Sequence, residues 1–536
     1  MNIEAFYPLV LAKQTDARAT AADKNALLLT GPSGVGILLR GSIALEVPMS
    51  FRTICVALFL PFFASCLLWP AVSLAQIVGA GRHNSSSIPS DTEAPAPEIQ
   101  AGQTTCSPAP CVLPNVLISE DEADSTVIAA GPEHPNDLLA ASYAFPSCAG
   151  AGIFTSSNDG SAWQNPACVN GLGEEGDPSV AYGIKAEYVV GTSGDSSGSA
   201  TYSMSSTNNG ATWRPQVEAV APIFDGGNGD TNVPWVQVDN SSSSLFENAV
   251  YVSVTQFDIE VVESEISVAH STDGGNTWTA TTVDPVQYKP EVDQFSRMAV
   301  GLDGTLYVAW QRCAMTGPTV NCADTEANML ISKSTDGGNT WSAPAQIAAV
   351  RLVPETCSCG AFFGNLPNSN EPVANIPVLA IDNSKGAHAG NLYAVMYNWT
   401  GKQMRVQVVT STDGGDTWGT PVFVAPAAET HDQFFPSITV SPNGAVGVSW
   451  LDRRNDPLNV SYQPFAATSS NGGKSFGTNY ALATNLSDPY LDGAGGNNMG
   501  DYIGNAWAGA HQFLVTWPDT RNMEFMQDYF GGLMIP

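Results

Sequence analysis

The sequence predicts an all-β protein, a β-propeller of six or seven four-stranded antiparallel blades, from three observations. The 536 residues include 50 Gly and 36 Pro but only 13% charged residues, a composition typical of short strands joined by tight turns. An eight-residue turn motif recurs six times, and a pair of short apolar strands recurs seven times. Such repetition indicates a ring of similar units.

The N-terminal part has the pattern of an export signal. Arg52 precedes an apolar stretch that ends in small residues at Ser73-Leu-Ala75, as in secretory signals that are removed from the mature protein. Residues 1–75 are therefore interpreted as a leader, with Met49 as the expected start and 49–75 as the signal. A retained membrane anchor is the alternative, but Pro residues in the stretch and the Ala75-Gln76 exit favour cleavage.

The mature protein is accordingly expected to be exported (secreted, periplasmic or at the cell surface), without stable membrane insertion. Residues 76–111 are rich in Pro, Ala, Thr and Glu and are predicted to be a flexible linker to a propeller at 112–536. The formal net charge is −31, from 51 acidic against 20 basic residues. This charge would repel phosphate backbones, so nucleic acid is excluded as a partner.

Eight cysteines follow the predicted signal, and an even number in an exported chain indicates disulfides. Their close spacing favours three disulfides that close short loops: Cys106 with Cys111, Cys148 with Cys168, and Cys313 with Cys322. Cys357-Ser-Cys359 is also interpreted as disulfide-forming, since no histidine lies near it to complete a metal site.

The recurring turn motif is Ser-x-Asp-x-Gly-x-x-Trp. Its Asp accepts hydrogen bonds from turn amides, its Gly allows a positive φ, and its Trp packs beside the next strand. These roles are structural. Intact copies occur at 271–278, 334–341 and 411–418, and altered copies with Asn at the Asp position occur at 156–163, 206–213 and 469–476. The key residues of the intact copies are Asp273, Asp336, Asp413, Trp278, Trp341 and Trp418.

This motif resembles the Asp-box, or BNR repeat, of sialidase-like propellers. The resemblance implies that each box closes the hairpin of the two outer strands of a blade, on the face away from the active site. Two expectations follow: the boxes are scaffold, and any site lies on the opposite, non-box face. The protein is therefore expected to engage an extracellular glycan or protein ligand there.

The apolar strand pairs favour seven blades over six. The seventh pair has no box after it, and the chain continues only a little past Gln527-Asp-Tyr-Phe530. The simplest closure therefore takes the third strand of the last blade from this end of the chain. Residues 112–118 would then supply its fourth strand.

Acidic and basic residues flank the predicted strands on the non-box side. Paired carboxylates can serve as acid and base or nucleophile in glycoside hydrolysis, and guanidinium and aromatic groups can bind a sugar. The candidate catalytic residues are Asp293, Asp432, Asp452 and Asp501, and the candidate ligand-binding residues are Arg297, Arg312, Arg453, Arg521, Trp235 and Tyr502. The alternative is that these residues cap strands and bridge blades.

The resemblance also allows a test for sialidase chemistry. The family places a first arginine in a Phe-Arg-Ile-Pro motif before the first box, with a Tyr-Glu nucleophile pair. No arginine occurs between Arg82 and Arg214, and no such Tyr-Glu pair is evident, so a strict sialidase is disfavoured. Three hypotheses remain: a glycan-binding propeller, a sialidase-like glycoside hydrolase, and a non-catalytic protein-interaction propeller.

No cofactor is expected to be required. The loop Asp225-Gly-Gly-Asn228-Gly-Asp230 offers oxygen ligands for Ca²⁺, although its spacing does not follow the EF-hand pattern. The histidines are scattered along the chain, so zinc has no support.

Overall fold

The computed structural model describes two parts of the chain. One comprises 26–30 and 36–40; the other is 109–536 without 145–146, 149, 165, 169–175, 196–197, 225–228, 259–262, 316–320, 357–361 and 493–498. The predicted signal and nearly all of the predicted linker lie outside the described residues. In the N-terminal part, β1 (Ala26–Thr30) and β2 (Gly36–Arg40) pair as an antiparallel hairpin.

The described residues from 109 onward form seven four-stranded antiparallel blades, which confirms the predicted fold and its favoured blade number. The first strand of each blade is the innermost. Blades 1 to 3 consist of β4 to β7 (Val127–Ala130, Leu138–Tyr143, Ala151–Ser156, Ala167–Cys168), β8 to β11 (Ser179–Tyr182, Glu187–Asp195, Gly198–Ser206, Val217–Val220) and β12 to β15 (Gly229–Val238, Val250–Asp258, Glu263–Ser271, Thr279–Tyr288).

The next three blades follow the same order. Blades 4 to 6 consist of β16 to β19 (Glu291–Val300, Leu306–Ala314, Glu326–Ser334, Ala345–Arg351), β20 to β23 (Val378–Ile381, Leu392–Trp399, Met404–Ser411, Val422–Phe423) and β24 to β27 (Gln433–Val440, Val446–Asp452, Gln463–Ser469, Tyr480–Ala481). One short 3-10 helix, Pro489–Leu491, follows blade 6 in the described chain.

Blade 7 closes the ring with strands from both ends of the propeller. Its strands are β28 (Gly504–Ala508), β29 (Gln512–Asp519), β30 (Gln527–Met534) and, outermost, β3 (Cys111–Leu117). Cys111 pairs with Met534 and Leu117 with Tyr529 across β3 and β30. The predicted closure is confirmed, and the ring is held by backbone hydrogen bonds between the first and last strands of the propeller.

The boxes form the turns after the third strands of blades 1 to 6, as their hydrogen bonds show. In the box of blade 3, the Ser271 hydroxyl accepts from the Gly275 amide at 2.9 Å, and Asp273 accepts from the Thr277 amide at 2.9 Å and hydroxyl at 2.7 Å. Gly275 has φ +84°, a conformation that favours glycine. Asp336 and Asp413 bond in the same way, and Trp278, Trp341 and Trp418 are partly buried.

Two of the predicted disulfides are present, Cys148 with Cys168 and Cys313 with Cys322. Cys111 is also disulfide-bonded, while its predicted partner Cys106, and Cys357 and Cys359, lie outside the described residues. Across the described ranges, no helix is long and apolar enough to cross a bilayer.

A long insertion lies between β19 and β20, and its described residues, 352–356 and 362–377, pack onto the non-box face. Its buried apolar side chains include Leu352, Phe363 and Leu366, and the Phe363 ring lies 4.8 Å from that of Phe295 at the start of the inner strand of blade 4. The insertion therefore adds side chains to the face where a site is predicted.

Candidate functional site

Bulges in the inner strands determine which side chains enter the channel near the non-box face. Pairing of the first two strands shifts between Asn232 and Trp235 in blade 3, and between Gln294 and Arg297 in blade 4. Val233 and Phe295 in these bulges have φ of +47° and +65°. A bulge redirects the side chains that follow it, and here it brings Trp235 and Arg297 together.

The Arg297 guanidinium contacts two aromatic rings, which lie perpendicular to each other. Its guanidinium carbon lies 4.3 Å from the centre of the Trp235 ring and 5.0 Å from that of Tyr502. The Tyr502 hydroxyl donates to the Pro178 carbonyl at 2.8 Å, which ties blade 7 to blade 2. The structure thus brings together three of the predicted ligand-binding residues, from blades 3, 4 and 7.

Only part of the hydrogen-bonding capacity of the Arg297 side chain is used. It is 1% exposed, and one nitrogen donates to the Ser296 carbonyl at 3.0 Å. Its Nε and Nη2 atoms have no hydrogen-bond partner among the described residues. Burial lowers the Arg297 pKa to about 10, opposed by the charges of Tyr502 and Asp177. A buried charged donor of this kind requires an oxygen-bearing partner, either water or ligand.

The Arg453 guanidinium, in blade 6, is likewise buried and only partly hydrogen-bonded. It is fully buried, and Nη1 donates to the carbonyls of Pro367 at 2.6 Å and Asn459 at 3.2 Å. The nearest Asp432 oxygen is 3.8 Å away. Nε and Nη2 of Arg453 have no hydrogen-bond partner in the described chain. Glu371, fully buried in the insertion, adds a negative charge that acts on this guanidinium.

Arg312 and Arg521 are each paired with carboxylates, and Arg312 also joins blade 4 to blade 3 through Asp284 on β15. Arg312 donates to both oxygens of Asp293 at 2.7 Å and also contacts Asp284. Arg521 donates to both oxygens of Asp519 at 3.0 and 2.7 Å, and its guanidinium lies 3.9 Å from the centre of the Tyr529 ring. Bidentate pairs of this type orient both partners, so these two arginines stabilise the ends of strands.

The four predicted catalytic carboxylates are also strongly enclosed. Asp293, Asp432 and Asp452 are 0% exposed, and Asp501 is 7% exposed. Asp452 accepts from the Trp450 indole at 2.7 Å and from Arg454 at 3.0 and 2.6 Å.

Asp432 accepts from the Met404 amide at 2.8 Å and the Asn459 amide group at 2.6 Å. Burial raises the pKa of Asp293 to about 7 despite Arg312, and burial raises the pKa of Asp432. The catalytic role of all four residues stays a prediction.

Two other carboxylates lie where the first strands of blades 1 and 2 begin. Asp177 is partly exposed, whereas Asp124 is partly exposed as a residue but has a buried carboxyl group. Burial, and next the negative charge of Asp177, raise the pKa of Asp124 to about 7. Asp177 also acts electrostatically on Arg297 and Tyr502. These two carboxylates therefore belong to the surroundings of Arg297.

The positions of Asp124 and Asp177 in the sequence indicated that they lie near the candidate site. Asp177 directly precedes a predicted first strand, and Asp124 holds the corresponding place in blade 1. By contrast, Glu371 and Tyr490 lie in long connections without a repeat, and nothing in the sequence relates them to Arg453. Tyr490 is 46% exposed, and its hydroxyl donates to the Asn368 carbonyl at 3.2 Å.

The metal hypothesis receives no new support. Asp225 to Asn228 of the predicted Ca²⁺ loop lie outside the described residues. Within the described ranges, no three His, Cys, Asp or Glu side chains are grouped so that they could hold a metal ion.

No family model and no curated protein matches the sequence. Solved structures similar to the chain include sialidases and arabinanases. Another similar structure is that of an ulvan lyase, a polysaccharide lyase. Its TM-score is 0.48 at 11% identity, and the match covers 79% of this chain and 96% of that chain.

Two further similar structures are glycosidases. An α-L-arabinanase from Penicillium chrysogenum, complexed with arabinobiose, has a TM-score of 0.41 and 11% identity over 79% of this chain and 98% of its own. A sialidase from Streptococcus pneumoniae has a TM-score of 0.42 and 12% identity over 65% of this chain and 68% of its own. At such identities the likeness concerns the fold, and residue roles must be argued from the contacts of this chain.

Proposed function

We propose that this protein is an exported propeller that binds glycans on its non-box face, at Arg297 and Arg453. The observation that carries the proposal is the pair of buried guanidiniums, each with two nitrogens that lack a partner among the described residues. A sugar offers many hydroxyl oxygens, and an acidic sugar adds a carboxylate. Both are acceptors for guanidinium groups, and the contact is strong where water is excluded.

The surroundings of Arg453 also offer a surface on which a sugar ring can stack. Tyr490 and Leu458 are 46% and 52% exposed, and both contact Asn368, which donates to the Leu458 carbonyl at 3.2 Å and accepts from Tyr490. The Tyr490 hydroxyl is held by this bond, so its ring is fixed at the surface. Aromatic rings held in this way bind the apolar face of a sugar.

A second candidate function is glycoside hydrolysis by Asp124 and Asp177. It is favoured by the partial exposure of Asp177, by the negative charge that Asp177 places beside Asp124, and by the pKa of about 7 for Asp124. In such a reaction Asp124 would give its proton to the leaving oxygen as the glycosidic C–O bond breaks. Asp177 would accept a proton from the water that attacks the anomeric carbon.

The binding proposal is tested with a glycan array on the full chain and its Tyr490→Ala and Arg453→Ala variants. Loss of the Tyr490 ring should weaken binding by about tenfold, because Tyr490 is exposed and its removal does not disturb the core. The matched control is Tyr288→Ala, which removes a ring that is 62% exposed on β15. Equal binding by Tyr490→Ala, Arg453→Ala and the control, all folded by thermal melting, would contradict the proposal.

Hydrolysis is tested separately with a panel of fluorogenic glycosides that includes a sialoside. Asp124→Asn and Asp177→Asn should each abolish turnover while leaving array binding measurable. The wild-type rate should fall as the pH rises through about 7, because the general acid loses its proton. A protein that binds glycans but turns over none of the panel would leave the binding proposal intact and rule against hydrolysis of those substrates.

A further inference from the structure

A second cavity lies on the box face, opposite the candidate site. The inner strands of the ring end around it and enclose about 650 Å³. Trp235 and Gln237, alternate residues of β12, line it from blade 3, and Trp507 lines it from blade 7. Its volume falls within the range of small-molecule sites. The Trp235 ring also contacts the Arg297 guanidinium, whose carbon lies 4.3 Å from the ring centre.

The chemistry of the lining is neutral and aromatic. Among the described residues that line the cavity, Asp239 is the one with a charged side chain, and it is 0% exposed with one oxygen accepting from the Ser241 amide at 2.9 Å. Tyr182 adds a third aromatic ring beside the two tryptophans. An anionic ligand finds no positive charge in this lining, and a neutral ligand suits it.

Some polar groups of the lining are fixed and others are free to bind. The Trp507 indole donates to the Thr439 carbonyl at 3.3 Å, which holds its ring in place. The Thr439 hydroxyl in turn donates to Asn505 at 2.8 Å. Among the described residues, by contrast, neither the Trp235 indole nitrogen nor the Gln237 amide has a hydrogen-bond partner, although both side chains are partly exposed at the cavity.

We infer that this cavity binds a neutral mono- or disaccharide. The apolar C–H face of the sugar would pack on the indole rings, while its hydroxyls would bond to the Gln237 amide and the Trp235 N–H. The site opens on the other face from the glycan site proposed at Arg297 and Arg453, adjoins it at the Trp235 ring, and does not depend on that proposal. It would make the propeller a carbohydrate binder on both faces.

The test is calorimetric titration of the full chain with neutral monosaccharides (glucose, galactose, mannose, xylose and arabinose) and their disaccharides. Gln237→Leu keeps the size of the side chain but removes its polar atoms. It should weaken binding of the best sugar by about tenfold. The matched control, Gln346→Leu on the exposed side of β19, should leave the affinity unchanged.

A second readout is the fluorescence change of the channel tryptophans. Binding should alter the emission of wild type and, to the same extent, that of Trp418→Phe, a box variant that copies the natural Phe476 of the sixth box. The change should be clearly smaller in Trp235→Phe, which leaves Trp507 to report on the cavity. The inference is overturned if no sugar binds at millimolar concentration, or if Gln237→Leu binds as wild type does. Affinity lost in Arg453→Ala but kept in Gln237→Leu would assign the sugar to the non-box site and likewise overturn the inference.

Discussion

Asp124 is a residue whose charge state should affect the stability of the protein. Its folded pKa of about 7 lies above the ordinary value of 3.8 because of burial and Asp177. A raised acid pKa stabilises the fold at low pH. That contribution is full below the unfolded value and is lost as the pH rises through the folded one. The carboxylate therefore destabilises the protein at neutral pH and above.

Asp124→Asn removes this effect. The free energy of unfolding of the variant should exceed that of wild type by at least about 2 kcal/mol at pH 8 and should match it near pH 4. Thermal or urea unfolding at the two pH values measures the difference. Asp416→Asn, at a carboxylate 66% exposed, is the control and should show no such pH dependence. A constant difference between Asp124→Asn and wild type would contradict the assignment.

The sequence indicates which residues lie near the starts of the inner strands, but not where each side chain points. Asp177 precedes the inner strand of blade 2 and Asp293 lies near the start of that of blade 4, yet Asp293 is fully buried against Arg312 and Asp177 is partly exposed near Arg297. Because successive side chains of a strand face opposite sides, a bulge that adds one residue reverses the face on which the following side chains lie. Bulges leave no clear mark in this sequence.

The boxes are the elements whose chemistry the sequence predicted best, since all their contacts are local. Asp336 accepts from the Thr340 amide at 2.9 Å and hydroxyl at 2.6 Å, and Asn158 of the first box accepts from the Ala162 amide at 3.0 Å. The shared acceptor oxygen is what the turn requires. The carboxylate and the amide therefore serve the same structural role.

Asp336→Ala should destabilise the protein by roughly 1 to 2 kcal/mol, because several turn donors lose their acceptor. Asp336→Asn should retain most of the stability, since three natural boxes carry Asn at this position. Chemical denaturation of both variants gives the comparison. Equal losses would mean that charge, and not the acceptor oxygen, holds the turn.

For the whole molecule, closure between β3 and β30 determines whether the ring forms. Gly532 on β30 is tightly enclosed, because an added Cβ would lie 2.0 Å from the Phe513 carbonyl oxygen. Gly532→Ala should therefore cost more than about 2 kcal/mol and expose β3 to protease. Gly390→Ala, where φ is +83° but nothing lies within 4 Å, should cost about 1 kcal/mol. Similar melting temperatures for the two variants would contradict this account.

The global architecture was predictable because each blade repeats a short pattern and the seventh pair lacked a box. The insertion at 352–377 was not predictable, because its sequence occurs once and matches no repeat of the chain. It nevertheless supplies the Pro367 carbonyl that binds Arg453 and the Phe363 ring against Phe295. Long-range contacts of this kind depend on how two unrelated segments pack, and a single sequence does not record them.

The pairing of Cys111 with Met534 also has a consequence for biosynthesis. Among the propeller strands, β3 is synthesised before all the others and its partner β30 after all the others, so the ring cannot close until β30 has been made. Contacts so distant in sequence form slowly. The propeller must therefore stay open during synthesis of all seven blades, a state compatible with passage through a secretion channel.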